Sequence, residues 1–205
     1  MSDVEWLYKE TSFLNEKNIS KIQFELYVTF RWLSNKKDEN ALWISFSAVN
    51  VEESCPTLIS LLKEVDLYKD FTIIGFSQLS PGRKYPIHND EHKYSLNIPV
   101  QNCEKSYTIF YDKNSLIEVN SRPADGYYSN NHSLNYDNFL TMKNYSFDGA
   151  VELGRCEYTV PYWINVEVPH LPYSENEKHR ILAVLRFKNQ IEKMLDEKNC
   201  AWVKN

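Results

Sequence analysis

Apolar and polar residues alternate most regularly in the middle of the chain. Tyr94 to Gln101 carries the two-residue repeat of a strand, and Phe71 to Leu79 and Ser106 to Tyr111 its β-branched and aromatic content. Ser80-Pro81-Gly82 is a turn signal that closes the first of them. Ala41 to Ala48 reads as another strand. Arg180 to Lys188 has apolar residues on both faces (Ile181, Leu182, Ala183, Val184, Leu185, Phe187), which predicts a central strand covered on both sides. Ala150–Leu153, a turn at Gly154, Tyr158–Val166 and Val168–Leu171 bring the total to about eight short strands.

Helical spacing is clearest behind Pro56, where Leu58, Ile59, Leu61, Leu62, Val65 and Leu67 follow a proline placed in the first turn. Ile19 to Leu33 is apolar but fits neither period, so helix and strand stay open there. Ile191, Met194 and Leu195 return to helical spacing and predict a terminal segment that caps the sheet. Asn120 to Gly149 is crowded with Asn, Ser, Tyr and Asp, the composition of a lid or insert. Strands in the majority, with helices mainly before them, predict a mainly β fold with flanking helices, a sandwich or barrel of the jelly-roll, cupin-like kind. With 205 residues and no linker or repeat, residues 1–205 form one expected domain.

Composition narrows the function classes. Aromatic residues make up 14% of the chain and glycines number only 5, which suits broad pleated surfaces. Lys+Arg 23 against Asp+Glu 28 gives a net charge of −5 with no basic run, so duplex nucleic acid is not an expected partner. The acidic start and the lack of a long apolar run predict neither signal peptide nor membrane span, and hence a cytoplasmic protein. Cys55, Cys103, Cys156 and Cys200 lie 48, 53 and 44 residues apart, without a CxxC pair, and are expected to be free thiols.

The candidate chemistry sits in Pro86-Ile87-His88-Asn89-Asp90. In an extended strand, His88 and Asp90 share a face roughly 7 Å apart along the backbone. An imidazole and a carboxylate so placed can close on one metal ion, and a second imidazole completes a facial triad that leaves three positions open on a ferrous ion. His170, in Pro169-His170, is the expected third ligand. Arg180 opens the strand that follows, and its planar, permanently charged fork suits a carboxylate. Five His and ten Asp in 205 residues give about 0.25 His-x-Asp pairs by chance, so the downstream His and Arg carry much of the weight.

The pattern His88-x-Asp90, His170, Arg180, within PGRKYPIHNDEHKYSLNIPV and WINVEVPHLPYSENEKHRILAVLRF, resembles the Fe(II)/2-oxoglutarate-dependent dioxygenases, prolyl and aspartyl/asparaginyl hydroxylases in particular. The likeness covers residues 71–111 and 158–188. It implies a double-stranded β-helix, Fe(II) held by His88, Asp90 and His170, and 2-oxoglutarate as cosubstrate with its distal carboxylate on Arg180. It implies dioxygen as a further reactant, with 2-oxoglutarate oxidised to succinate and carbon dioxide while an amino acid, peptidyl residue or other small polar substrate is hydroxylated. An intact Asp90 favours hydroxylation over halogenation.

Neighbouring residues form a second group. Asn97 and Tyr94 could contact the cosubstrate, but alternation sends them to opposite faces; Tyr107 and Thr108 pose the same choice. Trp163 and Asn165 precede His170, although an aromatic on such a strand is more often core. His92 offers an alternative ligand set, His88-x-Asp90-x-His92, while His179 should face away from Arg180. Arg83 and Lys84 could steer an anionic substrate, and Arg122, Asp125, Tyr127, Tyr128 and Tyr136 could select it. Two other functions compete: a non-redox cupin-type protein that binds a metal or small molecule, and a degenerate scaffold that binds a partner through the Tyr-rich loop.

Overall fold

The structure, a computed structural model, describes residues 7–11, 13–14, 16–34, 43–81, 85–90, 92–119 and 143–188, with the backbone alone for 43–50. Among these are twelve strands and three α-helices. The strands form two antiparallel sheets of six. One sheet holds β1 (Tyr8–Glu10), β10 (Tyr162–Asn165), β5 (Tyr94–Gln101), β12 (Arg180–Phe187), β3 (Phe71–Leu79) and β2 (Trp43–Ser47), in that spatial order. The other runs β7 (Glu118–Val119), β8 (Lys143–Tyr145), β4 (Ile87–Asn89), β11 (His170–Ser174), β6 (Ser106–Tyr111) and β9 (Glu152–Glu157).

β12 is central, paired with β3 on one side and β5 on the other. Its alternation sorts the interior. Ile181, Ala183, Leu185 and Phe187 join Leu96, Ile98 and Trp163 against Ile22, Leu26 and Phe30 of α1 (Glu16–Ser34) and Leu58, Ile59 and Leu62 of α3 (Pro56–Glu64). Leu182 and Val184 face the other way and meet Phe110 and Cys156 of the second sheet. The first sheet is thus covered by helices on one face and by the second sheet on the other. Fully buried Leu185 sits in the helix-side core, so Leu185→Ala is expected to cost about 2–5 kcal/mol in a urea titration.

Ile19–Leu33, left open by its sequence, is part of α1. Tertiary contacts fix it there: Gln23 donates to the carbonyl of Pro99 at 2.8 Å, and Glu25 accepts from the backbone N–H and hydroxyl of Thr57 at the start of α3. Pro56 occupies the first turn of α3, and Ala48–Ser54 forms an additional helix, α2.

Three boundaries differ from expectation. Gly154 is no turn; it lies inside β9 opposite Phe110, with Leu7 3.4 Å from where a Cβ would stand. Lys143–Tyr145, expected within the loop, forms β8 and pairs with β4. Tyr158–Val166 contributes only its later part, β10, to a strand. Cys55, Cys103 and Cys156 are free and buried. Among the described residues no helix is long and apolar enough to cross a membrane. Arg83, Lys84, Arg122, Asp125, Tyr127, Tyr128, Tyr136 and the tail from Asn189 lie outside the described residues.

Candidate functional site

Inward-facing positions from both sheets meet in the space between them. On the second sheet, His170 is the register partner of His88 on one side and of Phe110 on the other. The two imidazoles are therefore neighbours across a strand pair, with ring centroids 4.5 Å apart. Each is locked by its own backbone. The Nδ1 of His88 donates to the carbonyl of Pro86, and that of His170 to the carbonyl of Val168, both at 2.9 Å. A carbonyl can only accept, so both rings carry a proton on Nδ1, and Nε2 is the nitrogen left to ligate. Burial, with His88 alongside, lowers the pKa of His170 to about 4, which keeps it neutral and able to ligate at neutral pH.

Asp90 lies one residue past β4. Its backbone N–H donates to the carbonyl of Val166, whose own N–H donates to the carbonyl of Lys93, so Asp90 and Lys93 are both tied to the stretch that leads into His170. Burial alone would raise the Asp90 pKa. The charges of Arg186, His92, His88 and His170 outweigh it and hold the carboxyl at about 2, fully ionised. Its Oδ2 lies 3.6 Å from Nη2 of Arg186 and 3.8 Å from Nε2 of His92.

The fold thus brings His88 and His170 together and sets Asp90 within their electrostatic reach, turned toward Arg186 and His92. Among the described residues no three His, Cys, Asp or Glu side chains are gathered closely enough to hold a metal ion as they stand. Their chemistry nonetheless fits a divalent transition metal: two imidazole nitrogens side by side, each ring oriented by a backbone carbonyl on its Nδ1, and one anionic oxygen donor.

Arg180 is fully buried, at 0% exposure. One Nη2 hydrogen goes to the hydroxyl of Ser77 at 2.9 Å, and the guanidinium carbon lies 5.9 Å from the Tyr158 ring centre. Nε and Nη1 are buried without any hydrogen-bond partner. An unmet charged donor in the interior costs more than the roughly 1–3 kcal/mol of a neutral one, so such a group points to an anion that completes it.

Of the two predicted cosubstrate contacts on β5, the faces divide as alternation requires. Tyr94 packs with Leu96 and Ile98 in the helix-side core, away from the space between the sheets. Asn97 faces inward, where its Nδ2 donates to the Tyr158 hydroxyl at 2.9 Å and its Oδ1 accepts from Ser95 at 3.1 Å. Thr108 also faces inward and bonds the same phenol, whereas Tyr107 lies outside near Arg155. Trp163 is helix-side core against Phe187, and Asn165 caps the following turn by accepting from the N–H of Glu167. His179 turns away to Gln78. Tyr158 and Arg186 were not picked out as site residues by the sequence. Arg186 shares a face with Arg180 at an even spacing, a signal that alternation could have supplied.

No protein-family model matches the chain, and no curated protein does. Similar solved structures include a prolyl-4-hydroxylase from Pseudomonas putida, 14% identical, covering 90% of this chain and 89% of that one at a TM-score of 0.48. The non-haem α-ketoglutarate-dependent carbocyclase SnoK of nogalamycin biosynthesis is 10% identical, covering 98% and 90% at 0.45. An oxalate decarboxylase from Bacillus subtilis is 6% identical, covering 71% of this chain but 25% of that one, at 0.32. What the site can do follows from its own residues.

Proposed function

We propose that the chain is a 2-oxoglutarate-dependent non-haem iron dioxygenase, a single domain on a double-stranded β-helix. Its expected substrate is an amino acid, a peptidyl residue or another small polar molecule. The observation that carries this reading is Arg180, a buried guanidinium with Nε and Nη1 lacking hydrogen-bond partners, on the inner face of a sandwich whose other sheet holds two adjacent imidazoles anchored through Nδ1. His88 and His170 would hold Fe(II) through Nε2, and Asp90 through its carboxylate. Bound iron supplies oxygen activation, coupled to oxidation of 2-oxoglutarate to succinate and carbon dioxide. Arg180 pairs with the distal carboxylate and orients the keto acid. Pro86 and Val168 hold the tautomers through their carbonyls, and the buried surroundings keep bulk water away from the reacting groups.

The Asp90 geometry favours a second reading. A carboxylate facing Arg186 and His92 suits a non-redox, cupin-type protein that binds a metal or small molecule without turnover. Oxygen uptake separates the two. A dioxygenase consumes oxygen only when Fe(II) and 2-oxoglutarate are both supplied, and releases succinate in proportion, slowly even without the prime substrate. Fe(II)-loaded protein that binds 2-oxoglutarate yet forms no succinate with any panel of amino acids or peptides is the binding protein.

A further inference from the structure

Asn144 is a buried amide beside the imidazole pair. β4 runs between β8 and β11, and His88 is the register partner of Asn144 on one side and of His170 on the other. Alternation along β8 fixes which way Asn144 faces. Tyr145 packs with Ile87, Ile109 and Leu171 on the outer face of the second sheet, and its hydroxyl donates to Oδ1 of Asn89 at 3.2 Å. Lys143 is exposed and paired with Glu118 at 2.8 Å. Asn144, between them, points to the inner face with His88, and only 6% of it is exposed. Side chains directly opposite on an antiparallel pair have Cβ atoms roughly 4.5–5.5 Å apart, so the Asn144 amide is an immediate neighbour of His88.

The inward row across the sheet is thus Asn144, His88, His170 and Phe110. Arg180 lies against Tyr158, whose hydroxyl meets Thr108 on β6, the strand beyond His170. Asn144 is on the opposite flank of the two rings. An Asn amide is neutral at every pH and offers an acceptor oxygen beside an N–H donor group. The charges nearby are matched among themselves. Glu118 and Lys143 pair on the outer side, and Asp90 lies 3.6 Å from Arg186. That flank of the imidazole pair offers hydrogen bonding without an added charge.

We propose that Asn144 is a specificity-determining contact for the molecule to be oxidised, and that the group it selects is an uncharged amide. This rests on the dioxygenase reading and narrows its substrate class. Two amides exchange one N–H···O bond in each direction, which satisfies both. A free amine or carboxylate would bring a buried charge that an amide only partly offsets. A ketone of the same shape would leave the Asn144 oxygen without a donor, and a site built around a hydrogen bond rejects the analogue that lacks it.

Proton relaxation by Mn(II) tests it, because a bound paramagnetic ion relaxes the molecules that dwell beside it. The probes, titrated into protein loaded with Mn(II) and 2-oxoglutarate, are N-methylacetamide, propionamide and 2-butanone. 2-Butanone has the shape of N-methylacetamide with a methylene in place of the N–H. One of the amides is expected to bind about fivefold more tightly than 2-butanone, the worth of one neutral hydrogen bond. A lead for N-methylacetamide assigns a peptide unit, and a lead for propionamide a primary carboxamide. Asn144→Leu keeps the branching of the side chain without its polar atoms, and Asn144→Ala removes it. In each, amide and ketone should bind within about twofold of each other, while the affinities for Mn(II) and 2-oxoglutarate stay within about threefold of the parent.

The contact is overturned if the parent does not tell the amides from the ketone, or if the preference survives both substitutions. It is equally overturned if the variants weaken all three probes alike together with Mn(II), which marks an amide that only braces β8 against β4. A parent protein that takes up Mn(II) but no 2-oxoglutarate overturns the dioxygenase reading instead, so the two failures are distinguishable.

Discussion

Arg180→Met is expected to abolish cosubstrate binding while leaving the fold as stable as before, or more so. The guanidinium is fully buried, spends one hydrogen on Ser77, and leaves Nε and Nη1 without partners. In the free protein this is an energetic burden. Replacing buried ionic groups by apolar side chains of similar volume is often neutral, or stabilising by about 1–4 kcal/mol. In the complex the balance inverts. A carboxylate that meets the fork bidentately is lost with it, and breaking a buried charge pair typically costs about 3–5 kcal/mol, or roughly 10²–10⁴-fold in the dissociation constant. Urea titration without ligand and calorimetry with 2-oxoglutarate and Mn(II) measure the two sides. An arginine that merely props the sheets apart would lose stability on substitution, with binding affected only through unfolding.

His170→Ala is the second. Removal of one of two adjacent imidazole nitrogens should reduce Mn(II) affinity by more than the roughly 10- to 100-fold typical of losing an outer-shell partner. Titration followed by the electron paramagnetic resonance of free Mn(II) reads this directly. His92→Ala is the internal comparison: its Nε2 stands 3.8 Å from Asp90, outside the imidazole pair, and its loss should change affinity less than tenfold. A larger loss in His92→Ala than in His170→Ala would move the metal to the His88-x-Asp90-x-His92 set.

The strands that carry the site were legible where alternation and turn residues agree. β3, β5 and β6 fall on the segments expected, because each is a short run rich in β-branched or aromatic residues that ends at polar or turn residues. α1 was not legible for the opposite reason. Phe24, Val28 and Trp32 are 67%, 48% and 57% exposed, so apolar residues on the solvent side blur the helical repeat that Ile22, Leu26 and Phe30 would otherwise display. β8 has no pattern of its own in Lys-Asn-Tyr; its strand character comes from pairing with β4, which no local window contains. At the site, residue type and spacing singled out His88, Asp90, His170 and Arg180. They could not show that Asp90 turns to Arg186, or that Tyr158 joins Asn97 to Thr108, since those contacts depend on which strands become neighbours. Tyr94 and Asn97 show the middle case. Alternation separated them, and only the sheet stacking decided which one faced the interior.

β12 holds both guanidiniums, Arg180 and Arg186, on its inner face, and every residue between them on that face or its reverse is committed. The short connection from Ser174 to Arg180 therefore acts as a phase setting for the strand. A single residue gained or lost there, if the strand kept its place in the sheet by sliding one step, would exchange the two sides at a stroke. Both cations would then enter the greasy layer beneath the helices, and leucine and isoleucine would take their places opposite the histidines. Length changes in this connection are thus constrained by parity, with paired insertions far easier to accommodate than odd ones.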